Sequence, residues 1–144
     1  MDKEELKNLF GSVYNDGDVL FREGQPGHEM YVIQEGSVEI SSILNGKRAV
    51  ITVLGKGEFF GEMALLDSRP RCATATVCGQ ARIMVLTSEA FRSRLSSDPN
   101  IALRLLKSLC EKIRKLNESI ETLKAAGNLN SSQLGAAIRT LQAD

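Results

Sequence analysis

The sequence predicts an α+β protein: a small closed antiparallel sheet, either sandwich or barrel, leading into a long helix. Three observations carry that prediction. Between about residues 13 and 86, short runs rich in Val, Ile, Thr and aromatic residues recur at near-regular spacing. Glycines stand between the runs, among them Gly17, Gly24, Gly27, Gly36, Gly46, Gly55 and Gly57, as turns do in small all-β units. From Ser88 onward the apolar positions recur in steps of three and four, the period of a helix. With 144 residues, 42% hydrophobic and 25% charged, the chain has the length and composition of one ordinary globular domain.

In chain order, Leu6, Leu9 and Phe10 fall at helical spacing and Gly11 follows as a stop, so residues 2–10 read as a short amphipathic helix. The strand runs are Val19–Phe21, Met30–Gln34, Ser37–Ser41, Arg48–Leu54, Thr74–Cys78 and Arg82–Leu86. One segment interrupts them. Gly61–Asp67 is made of good helix formers without a β-branched residue, and it is too short to be stable outside a fold that holds it. Glu89–Leu95 reads as a short helix capped by Ser88. Asp98 and Pro99 open a long helix, Asp as N-cap and Pro where a missing N–H is harmless; it runs to Ala126 and stops at Gly127. Within it Leu106, Leu109, Ile113, Leu116, Ile120 and Leu123 form a narrow stripe over roughly three heptads, the pattern of a helix that pairs with another helix. A homodimer through residues 99–126 is therefore expected, the alternative being a helix lying on the sheet. In the tail, residues 127–144, Ser131 or Ser132 can cap a last helix carrying Leu134, Ile138 and Leu141. The domain is drawn as 1–126, with the sheet over about 13–86 and the C-terminal helices over 88–126.

Eighteen Lys and Arg balance eighteen Asp and Glu, which argues against a broad phosphate-binding face and so against a nucleic-acid partner. No apolar run nears the roughly 18 residues that cross a bilayer, and the acidic start from Met1 to Glu5 is not a signal peptide, so no membrane partner is expected. Cys72, Cys78 and Cys110 match no zinc or redox spacing, and free thiols in a cytoplasmic protein are expected. Small β-barrel metalloenzymes such as the cupin-like oxygenases place two or three imidazoles on one metal. The single His28 nearly excludes that class, so neither a metal nor catalysis is expected.

The informative stretch runs from Phe60 to Ala75. A glycine-opened single turn of helix after Gly61 presents N–H groups and a partial positive end to an anion. Arg71 adds a fixed cation whose planar fork suits two phosphate oxygens, and Cys72, Ala73 and Thr74 are small enough to leave their backbone N–H groups reachable. Glu62 is out of place beside an anion unless the ligand also offers hydroxyl donors, as a ribose does. Phosphate beside a ribose hydroxyl means a nucleotide. The alternative for Glu62 and Arg71 is a plain internal ion pair that holds the loop.

This ordered set resembles the phosphate-binding cassette of cyclic-nucleotide-binding domains, the family of the bacterial catabolite activator, the cAMP-dependent protein kinase regulatory subunit and nucleotide-gated channels. The resemblance covers about residues 10–125, with supporting matches at Glu23-Gly24, Gly27, Met30 through Val38 and Gly55 through Gly61. It implies an antiparallel, jelly-roll-like β-roll with a short N-terminal helix, an inserted phosphate-binding helix and a long C-terminal helix. It also implies that Glu62 takes the ribose 2′-hydroxyl, that Arg71 pairs with the cyclic phosphate, and that Gly61 and the backbone N–H groups of Met63, Ala64, Cys72 and Ala73 line the pocket. Ile40 and Ile51 match apolar pocket wall, though core packing explains them equally well. Glu62 and Arg71 stand nine residues apart, as in the kinase regulatory subunit; the bacterial activator's loop is one residue longer. Cyclic-GMP-preferring relatives usually carry a threonine hydroxyl after the arginine, and the weakly bonding thiol of Cys72 tilts the expectation to cAMP, with cGMP as second ligand. Phe91 is the last aromatic residue, so any cover for the base is aliphatic or polar. Leu116 and Asn117 match base-contacting positions of the activator, against the alternative of a core residue and a solvated one.

The expected function is a non-catalytic cyclic nucleotide sensor that needs no cofactor. It would signal by a population shift of its C-terminal helix to an unknown downstream partner. Two alternatives stay open. One is a catabolite-activator-type transcription regulator lacking its DNA-binding domain, since only eighteen residues follow residue 126. The other is a structural dimer module that has lost its ligand.

Overall fold

The computed structural model describes residues 10–67, 69–125 and 135. In order they form β1 (Ser12–Tyr14), β2 (Val19–Phe21), β3 (Glu29–Leu44), β4 (Lys47–Leu54), β5 (Phe59–Phe60), the one-turn helix α1 (Met63–Leu66), β6 (Thr74–Thr87), α2 (Ser88–Ser97) and α3 (Asn100–Ala125). The expected helix over 2–10 and the tail helix near Leu134, Ile138 and Leu141 lie outside the described residues, except for Phe10 and Gly135, both helical.

The expected strand runs merge. Met30–Gln34 and Ser37–Ser41 are parts of the sixteen-residue β3, and Thr74–Cys78 and Arg82–Leu86 are parts of the fourteen-residue β6. The two strands are antiparallel along both halves, with Met30 opposite Leu86 and Ile40 opposite Ala75, and the register slips between Ile33 and Ser37. The sheet folds over at that slip. A Cβ at Gly36 (φ +89°) would lie 2.7 Å from the Gln80 carbonyl oxygen, so only glycine lets the two bent strands approach so closely. One half of the roll is β1-β6-β3-β5 and the other is β2-β6-β3-β4. Among the described residues the ladder does not close, because β4 pairs with β3 alone. This corrects the closed-sheet expectation: β1, β2 and β5, at two or three residues each, offer too few backbone groups to carry the ladder round.

Strand alternation sends Tyr31, Ile33 and Ile83 into the roll beside Val38, Ile40 and Val77. Met30 and Leu86 face the other way and pack on Phe91 of α2. With both faces covered, Met30–Ile33 and Ile83–Leu86 read as unbroken apolar runs.

Thr87, the last strand residue, caps α2: its Oγ1 accepts from the Ala90 N–H at 3.1 Å. Ser88, expected in that role, instead donates its hydroxyl to the His28 carbonyl at 3.3 Å. At the start of α3 the Asp98 carboxylate accepts from the Asn100 N–H at 3.1 Å. The expected stripe on α3 divides. Leu106 (57% exposed) and Ile113 (46%) join Leu103 (64%) on the solvent side, whereas Leu109, Leu116, Ile120 and Leu123 are half-buried. No helix among the described residues is long and apolar enough to cross a membrane.

Candidate functional site

Arg71 leads into β6, and its neighbours are arranged around its guanidinium. Two backbone bonds, Gly24 N–H to Arg71 O (2.7 Å) and Arg71 N–H to Gln25 O (2.9 Å), clip it to the loop after β2. Glu23 ties that loop to the end of β3 by accepting from the Ser42 hydroxyl at 2.9 Å and the Ile43 N–H at 3.1 Å. The guanidinium is buried 4.2 Å above the Phe21 ring; Nη2 donates to the Glu29 carbonyl at 2.8 Å and Nη1 to the Gly61 carbonyl at 3.3 Å. Two glycines make room for it. A Cβ on Gly27 would lie 2.6 Å from Nη2, and one on Gly61 (φ +74°) 2.7 Å from Nη1. Burial lowers the Arg71 pKa from its ordinary value, against the opposing influence of Tyr31, Glu29 and Glu62, and an arginine so placed remains a cation. Its Nε is buried without a hydrogen-bond partner, and no carboxylate among the described residues forms an ion pair with it.

Beside this cation opens a cavity of about 270 Å³, with Phe21, Gly61, Met63, Ala64, Arg71 and Cys72 in its walls. Asp67 and Arg69, joined by an exposed ion pair of 3.1 Å, also line it. Other expected residues stand elsewhere. Ala73 and Ile40 are fully buried in the core, and Ile51 packs half-buried against it. Leu116 is half-buried and Asn117 exposed on α3, and neither lines the cavity. Helix α1 is a single turn, so its dipole is small, and the Ala64 N–H already donates to the Gly61 carbonyl at 3.2 Å. With Arg69 paired to Asp67, the cation in the cavity wall that forms no ion pair among the described residues is Arg71.

Glu62 is 1% exposed and forms no ion pair with Arg71, which the purely structural alternative required. Its Oε1 lies 3.3 Å from the ammonium of Lys112 on α3, itself 11% exposed. The same ammonium donates to the Phe59 carbonyl at 2.7 Å and sits 5.1 Å from the Phe59 ring centre. Sequence reasoning missed Lys112, although a signal was present. Leu105, Leu109, Lys112 and Leu116 follow in steps of four, three and four, so a cation interrupts an apolar row. Phe21 and Glu29 had no such signal, because they meet Arg71 only across long stretches of chain.

Two measurements probe this packing. Gly27→Ala is expected to displace the Arg71 fork and weaken binding of an anionic ligand about tenfold, with the strand ladder intact by circular dichroism. Tyr31 stacks on Phe60 (5.2 Å) and donates its hydroxyl to Glu29 Oε2 at 3.2 Å. Burial first, then the Glu29 charge, push its pKa up to about 12, and burial also raises Tyr14. A tyrosine whose proton is held more tightly in the folded state adds stability that is complete below about pH 10 and is lost as pH rises through 12. Tyr14 and Tyr31 are the two tyrosines, so ultraviolet titration should stay flat past the usual tyrosine range.

The three cysteines are free thiols, Cys72 half-buried at the cavity and Cys110 exposed on α3. Residues 12–98 match the family model described as cyclic nucleotide-binding domain. The chain is 32% identical over 108 residues to the CRP-like cAMP-activated global transcriptional regulator of Mycobacterium tuberculosis, covering 74% of this chain and 48% of that protein. It is 38% identical over 92 residues to the cAMP-dependent protein kinase regulatory subunit of Blastocladiella emersonii, covering 62% of this chain and 23% of that one. Thus it spans about half the length of the first relative and a quarter of the second. Among solved structures, the catabolite activator protein of Thermus thermophilus superposes with a TM-score of 0.70 at 26% identity, covering 86% of this chain and 61% of that one. The fold is theirs, and the relatives are regulators. The chain belongs to the cyclic nucleotide-binding domain family.

Proposed function

We propose that this chain is a non-catalytic, cytoplasmic sensor domain, spanning residues 1–126, that binds cAMP in preference to cGMP and signals through α3. Arg71 carries the reading: a buried cation with two carbonyl acceptors and no carboxylate partner, standing in a cavity wall. A buried charge lacking its counter-ion is costly, and a cyclic phosphate supplies one in the geometry that a guanidinium fork fits. Gly61, Met63, Ala64, Cys72 and Ala73 would bring backbone groups to the phosphate and sugar, and Glu62 would accept from the ribose 2′-hydroxyl. Because Lys112 already holds Glu62, the ribose and α3 share one carboxylate, and occupancy of the pocket biases where α3 rests. Leu116 and Asn117, one turn beyond Lys112, would meet the base after such a movement. The thiol of Cys72 favours adenine, as do the relatives named for cAMP. The exposed row Leu103, Leu106 and Ile113 supports a homodimer through α3.

Calorimetry of the folded protein with cAMP, cGMP and a cyclic dinucleotide tests this. The expected result is saturable binding with cAMP tightest. Absence of binding to all three overturns the proposal, and tighter cGMP overturns the base preference. One observation favours a second reading as part of a DNA-binding regulator: the chain matches only 48% of the mycobacterial protein's length. Salt-dependent binding to DNA would identify that reading.

A further inference from the structure

A second cavity, of about 510 Å³, lies on the outer face of the sheet beneath α3 and shares no wall residue with the Arg71 cavity. We propose that it binds a single-chain anionic amphiphile, a monomeric fatty carboxylate, with the chain on the sheet and the carboxylate on the basic edge of α3. Met30, Val32, Met84 and Leu86 form the floor, and Ile101 and Leu105 of α3 form the side. The volume lies within the roughly 300–1,000 Å³ of small-molecule sites, and an apolar lining with a few polar groups at its edge is their usual composition.

Charge selects the head group. Arg94, Arg104, Lys107, Lys112 and Lys115 border the cavity, against two carboxylates, Glu58 and Glu111. In a chain of zero net charge this is a local concentration of cations. Glu58 is turned into its own loop, where Oε2 accepts from the Gly55 N–H at 2.6 Å, and Lys112 is held by Phe59 and Glu62. Arg104, Lys107 and Lys115 form no ion pair among the described residues and stand with the exposed Glu111 on one edge of α3, so a ligand meets three cations and one carboxylate there. Arg104 and Lys115 stand about 16 Å apart along the helix, the reach of an extended chain.

The lining selects the chain. Met30 and Leu86 are 4% and 5% exposed and packed on Phe91, so a chain would lie along the half-buried Val32, Phe59, Met84, Ile101 and Leu105. An apolar lining with its cations confined to one edge suits a molecule with one charged end and an apolar chain, whereas an acidic amphipathic helix repeats its charges along its length. Pairing through α3 leaves the cavity open. At about 100° per residue, Leu106 and Ile113 lie on the far side of α3 from Arg104, Ser108, Glu111 and Lys115, and Leu103 lies beside Lys107 at the boundary of the two faces.

The test is calorimetric titration of the full chain, without nucleotide, with dodecanoate below its micelle concentration. Its outcome is thereby independent of whether the Arg71 cavity takes cAMP. One saturable site per chain is expected. Affinity should fall at least tenfold in the triple variant Arg104→Glu, Lys107→Glu, Lys115→Glu, whose side chains are exposed and whose thermal melt separates loss of the ligand from loss of the fold. Leu105→Trp should weaken binding by filling part of the cavity, and the triple variant decides the matter should that protein not fold. Dodecyltrimethylammonium should not bind. Absence of saturable binding, equal binding of the cationic analogue, or indifference to the triple charge reversal overturns the proposal. So does tighter binding of an acidic amphipathic helical peptide, or binding to anionic phospholipid vesicles alone; these identify a protein or a membrane as occupant.

Discussion

Arg71→Ala is expected to weaken cAMP at least tenfold, and up to about a hundredfold. The substitution removes a charge-assisted hydrogen bond worth about 1.5–3 kcal/mol, and each 1.4 kcal/mol is about a factor of ten in affinity. The upper end applies here because the guanidinium is buried against Phe21, where solvent screens it little. Arg71→Lys keeps the charge and loses the planar fork, so its affinity should fall between the wild-type and alanine values. Calorimetry measures the affinities, and denaturant unfolding without nucleotide separates loss of ligand from loss of fold. An unchanged affinity in the alanine variant would remove Arg71 from the site.

Lys112→Met should be among the most destabilising single substitutions on α3. Glu62 is 1% exposed, and taking away the ammonium beside it leaves a buried carboxylate deprived of that cation, at a cost of about 3 kcal/mol or more. The double variant Glu62→Gln, Lys112→Met should recover much of this, since a neutral replacement of a buried pair is often tolerated. Denaturant midpoints of the two singles and the double form the cycle. A loss in the double equal to the sum of the two single losses would show that the two side chains are not coupled. Because Lys112 also donates to the Phe59 carbonyl, hydrogen exchange in α3 should rise in the single variant while β3 and β6 stay protected.

The two predictions differ in how visible their residues were. Arg71 stands in a local cassette that begins at Gly61 and ends at Thr74, so residue types and spacing announced it. Lys112 lies fifty residues from Glu62, and only the return of α3 across the sheet brings them together. The same contrast runs through the fold. Long apolar runs in β3, β4 and β6 were legible because their burial imposes a residue pattern. Strands β1 and β5 were not, because Ser12–Tyr14 and Phe59–Phe60 are too short for a period and lack the three consecutive apolar residues that marked β2. The cap on α2 was displaced by one residue, since Thr87 and Ser88 offer the same hydroxyl and the end of β6 chose between them.

By itself the sequence determined the fold class, the order of sheet and long helix, and the cassette that holds Arg71. These depend on local chemistry: glycine where backbone must approach, apolar period where a face is buried, and a cation fixed beside small residues. The tertiary structure alone decided that β3 and β6 bend at Gly36 and leave the roll open, and that Glu62 answers to Lys112. It alone divided the stripe on α3 between a solvent row and a half-buried row. Each of these rests on contacts between segments far apart in the chain, whose energies depend on distance and burial that no local pattern encodes.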